Sequence, residues 1–537
     1  MRSPRCRAHL PLVLPPDFKK AFEMKNFRKY RYLLLLPMFV AAMCSSSCKK
    51  WLDVRPQDGL IKQDYWQTKE QLDAAVMGCY GSLLAGSTIP LSKYLFIWGE
   101  LRGDMVAARF EPDTEEGEAA LGVQLRDELS MIRSDIAATN TFTNWEAVYK
   151  TINYCNTVIK FAPDVLQTDK TLTQQQLNAY LAEVRGLRGL MYFYLLRVFK
   201  EVPLKLDPTA TDKDITALAK STEAQVYAQV ISDLKYAAEN ALPVYQTIAE
   251  DKGRVNQYTA YAALADAYLW MDDYANCIAA CNKVIQSNKY FIFPAGTYQD
   301  DWYRNVFFNG NSVEGIFEFQ FDAQKQNPFY NMFNSEFMAR DWVVQGGLYG
   351  IDLVNNTKDI RGNGTSMSEA TGSILKYLGK TNTTSDTHWF VYRYADVLLM
   401  KAEALAWLQP GNVANGTEAV AIVNQLRTNR SALNVVMDKV IEQPDPSLSD
   451  KVAAFVFDER GRELAFEGKR WFDILRNAKR NNYANEKMLL DIVSASAPPS
   501  KQQTVINKYK DHRSHYLPIY YYELQTNKSL VQNSFYN

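Results

Sequence analysis

Histidine is nearly missing from this chain. Of 537 residues four are His, and only His388, His512 and His515 lie beyond the N-terminal segment. A His-based metal centre or catalytic triad therefore has little to draw on. No H-E-x-x-H, G-x-S-x-G, Walker loop or G-x-G-x-x-G after a strand occurs, which removes the commonest signatures of metalloproteases, serine hydrolases and nucleotide enzymes. Net charge is also missing: 60 basic residues face 60 acidic ones. Residues 1–48 hold nine basic and two acidic residues, leaving 51 against 58 from Lys49 onward, a mildly acidic remainder without a basic run. Nucleic acid, which needs Lys/Arg stripes to displace counterions, is set aside as a partner. The longest apolar run, Leu33 to Met43, has 11 residues, against roughly 20 for a bilayer-spanning helix. Seven cysteines are scattered without a disulfide spacing pattern. Cys277 and Cys281 share one helical face, but no His or further Cys completes a metal set, so both read as packing.

Residues 24–48, MKNFRKYRYLLLLPMFVAAMCSSSC, have a signal peptide's three parts: a basic stretch, the apolar run, then small residues. Met24 reads as the true initiator, with residues 1–23 a mis-called start. Ser45, Ser46 and Ser47 lead into Cys48, a relaxed bacterial lipobox, so Cys48 is expected to be acylated and to become the first mature residue. Cys44 is the poorer candidate because Met43 is bulky. Each buried CH₂ of an acyl chain contributes roughly 0.8 kcal/mol, enough in sum to hold a soluble domain at a membrane.

The 47% hydrophobic content provides a large core. Helical periodicity dominates two blocks, about 64–290 and 389–480. From Tyr258 to Phe291 the chain nearly spells one tetratricopeptide unit, with Tyr261, Leu264, Ala265 and Tyr268 in the first helix and Cys277 and Cys281 in the second. Trp145–Phe161, Val184–Phe199, Val226–Ala241 and Tyr394–Leu408 repeat the i, i+3, i+4 spacing. Ser221, Thr222 and Glu223 can cap a helix, Pro163, Pro203 and Pro243 each follow a periodic run, and Pro410, Gly411 and Asn412 mark a turn. Between Tyr290 and Tyr349 the pattern breaks, and 17 of those 60 residues are aromatic. There Phe317, Phe319 and Phe321 alternate with Glu318 and Gln320, the period of a half-buried strand. The stretch to Asp386 is rich in Gly, Asn, Thr and Ser, hence loops. The expectation is a mainly α, helical-repeat scaffold in one domain, residues 48–537, with an inserted, aromatic-rich loop region at about 291–388.

Paired carboxylates could support glycoside hydrolysis, and Asp300 and Asp301 beside Trp302, or Glu314 with Glu318, are the nearest candidates. The most distinctive run is DERGRELAFEGKRWFDILR, Asp458 to Arg476. Its spacing predicts Asp458–Arg462 and Glu467–Arg470 pairs beside an apolar side formed by Leu464, Phe466, Trp471 and Leu475. The expected role is to hold the repeats together.

That run resembles the C-terminal signature of the SusD/RagB family of surface nutrient-binding lipoproteins of Bacteroidetes. Other segments follow in the family's order: Cys48 to Asp53 (CKKWLD), EVRGLRGLMYFYLLRVFKEVPL from Glu183, GRVNQYTAYAALADAYL from Gly253, YRYADVLLMKAEAL from Tyr392, and HYLPIYYYELQTNKSLVQNSFYN from His515. The resemblance implies a tetratricopeptide-type scaffold anchored in the outer membrane, facing outside, as a lid over a TonB-dependent transporter of the SusC type. It also implies binding of a glycan or peptide, no catalysis and no cofactor. Lys49 and Lys50 depart from the acidic residues that surface-export signals in such bacteria tend to carry.

The resemblance transfers no ligand residues, so the site is argued from chemistry. Sugar rings stack their C–H faces on flat aromatics while amides and carboxylates meet the hydroxyls. Trp98, Trp302, Tyr303, Tyr330 and Trp342, with Asp301, Arg304 and Asn305 beside one pair, are the candidates. A protein-binding scaffold without a small ligand and a glycoside hydrolase remain the alternatives.

Overall fold

In a computed structural model of the chain, the described residues are 65–84, 89–112, 114–211, 214–294, 296, 298–350, 358–379, 384–436 and 439–537. Residues Trp66–Asn537 form one compact unit. The signal segment and Cys48 lie outside the described residues.

Several helices start where the sequence supplies a cap. Thr173 and Thr222 each accept from the third helical N–H while Gln176 and Gln225 reach back to the cap, closing two capping boxes. Asn256, Asp273 and Asn412 cap three more helices. The main helices are α1 (Lys69–Leu84), α2 (Leu91–Glu100), α3 (Glu146–Thr168), α4 (Gln174–Phe199), α5 (Glu223–Asn240), α6 (Gln257–Trp270), α7 (Tyr274–Ile285), α8 (Tyr394–Leu408), α9 (Val413–Asn429), α10 (Ser449–Glu463) and α11 (Arg470–Tyr483). Pro163 does not stop α3, which runs on to Thr168 with the proline inside it. Only the backbone hydrogen bond that Pro163 would have donated is lost. In α11 the regular helix ends before Arg480, and Asn481 and Asn482 turn left-handed, at φ 50° and 55°.

From α3 to α8 each helix packs on the next, and α7 packs directly on α8 although more than a hundred residues separate them. The repeat ladder thus continues across the insert, as the tetratricopeptide pattern implies. Cys277 and Cys281 are buried free thiols in α7. A Cβ on Gly186 would press on Val255 Cγ1 at 2.7 Å, so a glycine is what brings α4 this close. Polar clamps fix the register: Arg188 of α4 grips both carboxylate oxygens of Asp233 on α5 at 2.8 Å and Asn156 Oδ1 on α3 at 2.8 Å.

The insert has a narrow neck. Strand β2 (Gly315–Phe319) pairs antiparallel with β4 (Trp389–Arg393), Glu318 facing Phe390 and Phe319 facing Trp389. All five β2 residues are buried, so the alternation seen in the sequence marks a strand covered on both faces rather than a half-buried one. Glu318 can be inside because its Oε2 accepts from Asn311 N–H at 2.8 Å and lies 3.0 Å from His388 Nδ1.

The Asp458–Arg476 run does hold elements together, though through partners distant in sequence. Glu467 accepts from Arg393 (2.9 and 2.8 Å) and Lys376 (2.9 Å), and Arg470 reaches Asp104 at 2.7 and 2.8 Å. Arg462 turns to Glu459 at 3.2 Å and to the Leu348 carbonyl at 3.0 Å. At the centre Glu463 takes Arg361 (3.0 Å), Arg393 (2.6 Å) and Arg430 (3.0 Å), all with side chains 0% exposed. The expected Asp458–Arg462 and Glu467–Arg470 pairs give way because loop and strand cations compete for the same buried carboxylates, although Arg462–Glu459 and Arg476–Asp473 do pair at i, i+3.

Glu100, at the end of α2, is 1% exposed, and burial pushes its carboxyl up to about 8 from an ordinary 4.5. Its Oε2 accepts from Gly468 N–H at 3.0 Å. Because the folded form holds its proton more tightly than the unfolded chain, this contribution is complete below pH 4.5 and fades as pH rises to about 8. Glu100→Gln is expected to flatten the alkaline fall: thermal midpoints of the two proteins should converge near pH 5 and separate by pH 9, the variant higher. Equal slopes would mean that the carboxyl ionises freely.

Candidate functional site

After α2 the chain crosses Gly103 and Asp104 into β1 (Val106–Ala108), which pairs antiparallel with β3 (Phe337–Ala339) of the insert. The ribbon joins segments more than 200 residues apart. Backbone bonds extend it at both ends, Arg340 N–H to Met105 O at 2.9 Å and Arg109 N–H to Glu336 O at 2.8 Å. Trp342 Nε1–H donates to Asp104 O at 2.6 Å, and Asp104 is held in turn by Arg470.

A cleft of about 600 Å³ opens beside this ribbon, lined by Ala107, Glu111, Arg133, Arg340, Pro498 and Lys501 among others. Its volume is within the range of small-ligand sites. Arg133 is fixed by carboxylates, its Nε and Nη2 on Glu111 Oε1 at 3.0 and 2.9 Å and its Nη1 on Glu118 Oε2 at 2.7 Å. Arg340 donates from Nε to Val106 O at 3.0 Å and from Nη2 to Ser496 Oγ at 2.8 Å. Burial pulls its pKa below the ordinary guanidinium value. Phe110, next to Glu111, leaves 67% of its surface open, a large ring with no core to fill.

The eight sequence-derived candidates separate. Trp98 and Trp302 are 0% exposed, a correction. Trp98 donates to Phe142 O at 2.7 Å and packs edge-on against Tyr94 and Phe199, while Trp302 lies against Phe307 and under Arg430. Neither can receive a ligand in this structure, because both rings fill the core that their loop-like surroundings concealed. Tyr303 is half-buried, its hydroxyl donating to Leu375 O at 3.0 Å, and burial pushes it up to about 12. Tyr330 and Trp342 are half-buried too, and Asp301, Arg304 and Asn305 are exposed. Of the eight, Trp342 is the residue tied to the ribbon.

The carboxylates considered for hydrolysis are differently engaged. Glu314 is buried and taken by Arg430 (2.8 and 2.9 Å), Arg393 (3.3 Å) and Phe293 N–H (2.9 Å). Glu318 faces His388 inside the neck. Arg340, Arg133 and Glu111 line the cleft, and sequence reasoning passed over them and over exposed Phe110 beside Glu111. The available signal was the charge interleaved with aromatics in MARDW and ARFEP, which becomes informative once the ribbon brings the two segments together.

Residues 347–536 match the family described as "SusD family", and residues 106–269 match a second model, "Starch-binding associating with outer membrane". A SusD-like protein of Formosa agariphila, P38, is 24% identical over 509 residues, covering 85% of this chain and 93% of the relative. A second one from that organism, P2, is 24% identical over 515 residues, covering 84% and 90%. Among solved structures, a SusD superfamily protein of Bacteroides vulgatus has a TM-score of 0.67 at 20% identity, covering 88% of this chain and 100% of that one. A SusD-like protein of Bacteroides fragilis gives 0.66 at 16%, covering 89% and 99%. These structures share the mainly helical, tetratricopeptide-like fold. No described helix is long and apolar enough to cross a membrane.

Proposed function

We propose, from the premise that this chain belongs to the SusD family, that its mature form binds an oligosaccharide at the ribbon cleft and hands it to a TonB-dependent transporter of the SusC type. In this reading Cys48 carries the lipid anchor, the site faces outside the cell, and the protein binds without catalysing a reaction. The observation that carries the reading is the cleft itself. A two-stranded ribbon pins the insert to the N-terminal helices, and a roomy polar cleft opens there, with exposed Phe110 next to its lining residue Glu111 in the chain. A scaffold that bound only protein would have no need of such a concavity. Hydrolysis by Glu314 and Glu318 is disfavoured because both are buried, Glu314 in ion pairs with Arg393 and Arg430 and Glu318 against Asn311 N–H and His388, instead of flanking an open bond.

The test is isothermal calorimetry of the mature chain with a panel of defined oligosaccharides and peptides. Phe110→Ala, which removes the exposed ring adjoining Glu111, is expected to weaken glycan binding roughly 3- to 10-fold, and Tyr303→Ala, outside the cleft lining, to leave it unchanged. Binding of peptides alone would sink the glycan reading, and release of reducing ends from a bound glycan would sink the non-catalytic one. Mass spectrometry of the native N-terminus should find acylated Cys48.

A further inference from the structure

Most buried arginines of this protein are neutralised. Arg133 has Glu111 and Glu118, Arg188 has Asp233, Arg254 has Glu183 and Arg476 has Glu403. Arg102, buried without a carboxylate, lies flat over Trp471 at 4.1 Å. Arg340 has neither arrangement. No carboxylate comes within 4.0 Å of it among the described residues, it rests on no ring, and its two hydrogen bonds go to neutral oxygens. Its Nη1 has no hydrogen-bond partner among the described residues. Yet this half-buried side chain forms part of the cleft wall. A partly desolvated guanidinium in a cavity wall, in contact with no carboxylate and facing Asp104 and Glu111 only at longer range, is a group that can take a closer anion.

The rest of the cleft points the same way. No aromatic residue lines it, and its walls are aliphatic, hydroxyl or charged. Glu111 and Glu118 are occupied by Arg133, and Lys501 pairs loosely with exposed Asp135 at 3.6 Å. A neutral sugar hydroxyl could accept one hydrogen bond from Arg340 but would leave its charge unmatched. A planar carboxylate or a sulfate would both accept and neutralise.

Resting on the reading of the cleft as the glycan site, we infer that it selects oligosaccharides bearing an acidic group, a uronate carboxylate or a sulfate ester, received by Arg340. The experiment is calorimetry of the mature chain with matched pairs: an oligouronate against its carboxyl-reduced counterpart, and a sulfated oligosaccharide against its desulfated one. The acidic member of at least one pair is expected to bind about 10-fold tighter or more, and which pair responds identifies the source of the charge. Arg340→Met should bring that ratio close to one. Arg340→Lys keeps the charge but lacks the fork and should fall between. Glu111→Gln, which removes a facing negative charge and loosens Arg133, should raise the ratio about threefold. That gain cannot come from misfolding, and the charge-keeping Arg340→Lys tests Arg340 itself if Arg340→Met fails to fold. Equal binding of both members of each pair overturns the inference but leaves the glycan reading intact. Binding of no glycan, acidic or neutral, overturns both.

Discussion

Glu463→Gln should destabilise the protein by about 3–5 kcal/mol, measured as a shift in the urea unfolding midpoint at neutral pH. The carboxylate is the meeting point of Arg361, Arg393 and Arg430, none of which is exposed. These cations hold its pKa well below the ordinary carboxylate range, against a desolvation penalty that alone would raise it. An amide of the same shape keeps the packing but removes the charge that compensates three buried guanidiniums. Other carboxylates share the load, Glu314 on Arg393 and Arg430 and Glu459 on Arg361, so a double variant with Glu314→Gln should cost more than the two single losses combined. A loss below about 1 kcal/mol would show that the cluster tolerates an unmatched charge, through water or rearrangement.

Gly99→Ala should be at least as damaging, costing about 3 kcal/mol or more and lowering soluble yield. A Cβ on Gly99 would be placed inside the carbonyl of Gly468, with Phe472 Cε2 at 3.0 Å. Both offending groups beyond the ring are main chain, so no rotamer change relieves the clash. Gly468 itself sits at φ +74° in the turn between α10 and α11, a conformation that glycine adopts most easily. That turn gives Glu100 the N–H group it accepts from, so the contact couples α2 to the ion-paired block. Gly78→Ala is the control. It lies on the exposed face of α1 with nothing within 4 Å of the new methyl, and it should stabilise by roughly 0.5–1 kcal/mol through helix propensity alone. If both glycines tolerate alanine equally, the close approach of α2 to the turn is wrong.

Much of the scaffold was legible in the chain before any coordinates. The apolar spacing of 258–291 specified the α6–α7 hairpin, because 3.6-residue periodicity is a local property that any helix must satisfy. The cap at Thr222, the turn at Pro410, Gly411 and Asn412 and the breaks at Pro203 and Pro243 were local in the same way. The Asp458–Arg476 run was recognisable as structural, but not its partners, since several cations lie within reach of each carboxylate once the chain is folded. Pro163 misled because its position in α3 costs one hydrogen bond, which tertiary packing outweighs. Trp98 and Trp302 misled for a related reason: aromatic residues in a loop-like composition serve a core as readily as a surface, and composition carries no depth.

The amino-acid order by itself determined the helical repeat, its interruption at 291–388 and the family kinship, all of which depend on neighbours along the chain. Only the tertiary structure decided which rings are covered, which carboxylate meets which guanidinium, and that β1 and β3 join to open a cleft with Arg340 left unmatched. Those outcomes depend on contacts between segments from 33 to more than 200 residues apart, where one segment's chemistry is set by whatever the fold brings against it.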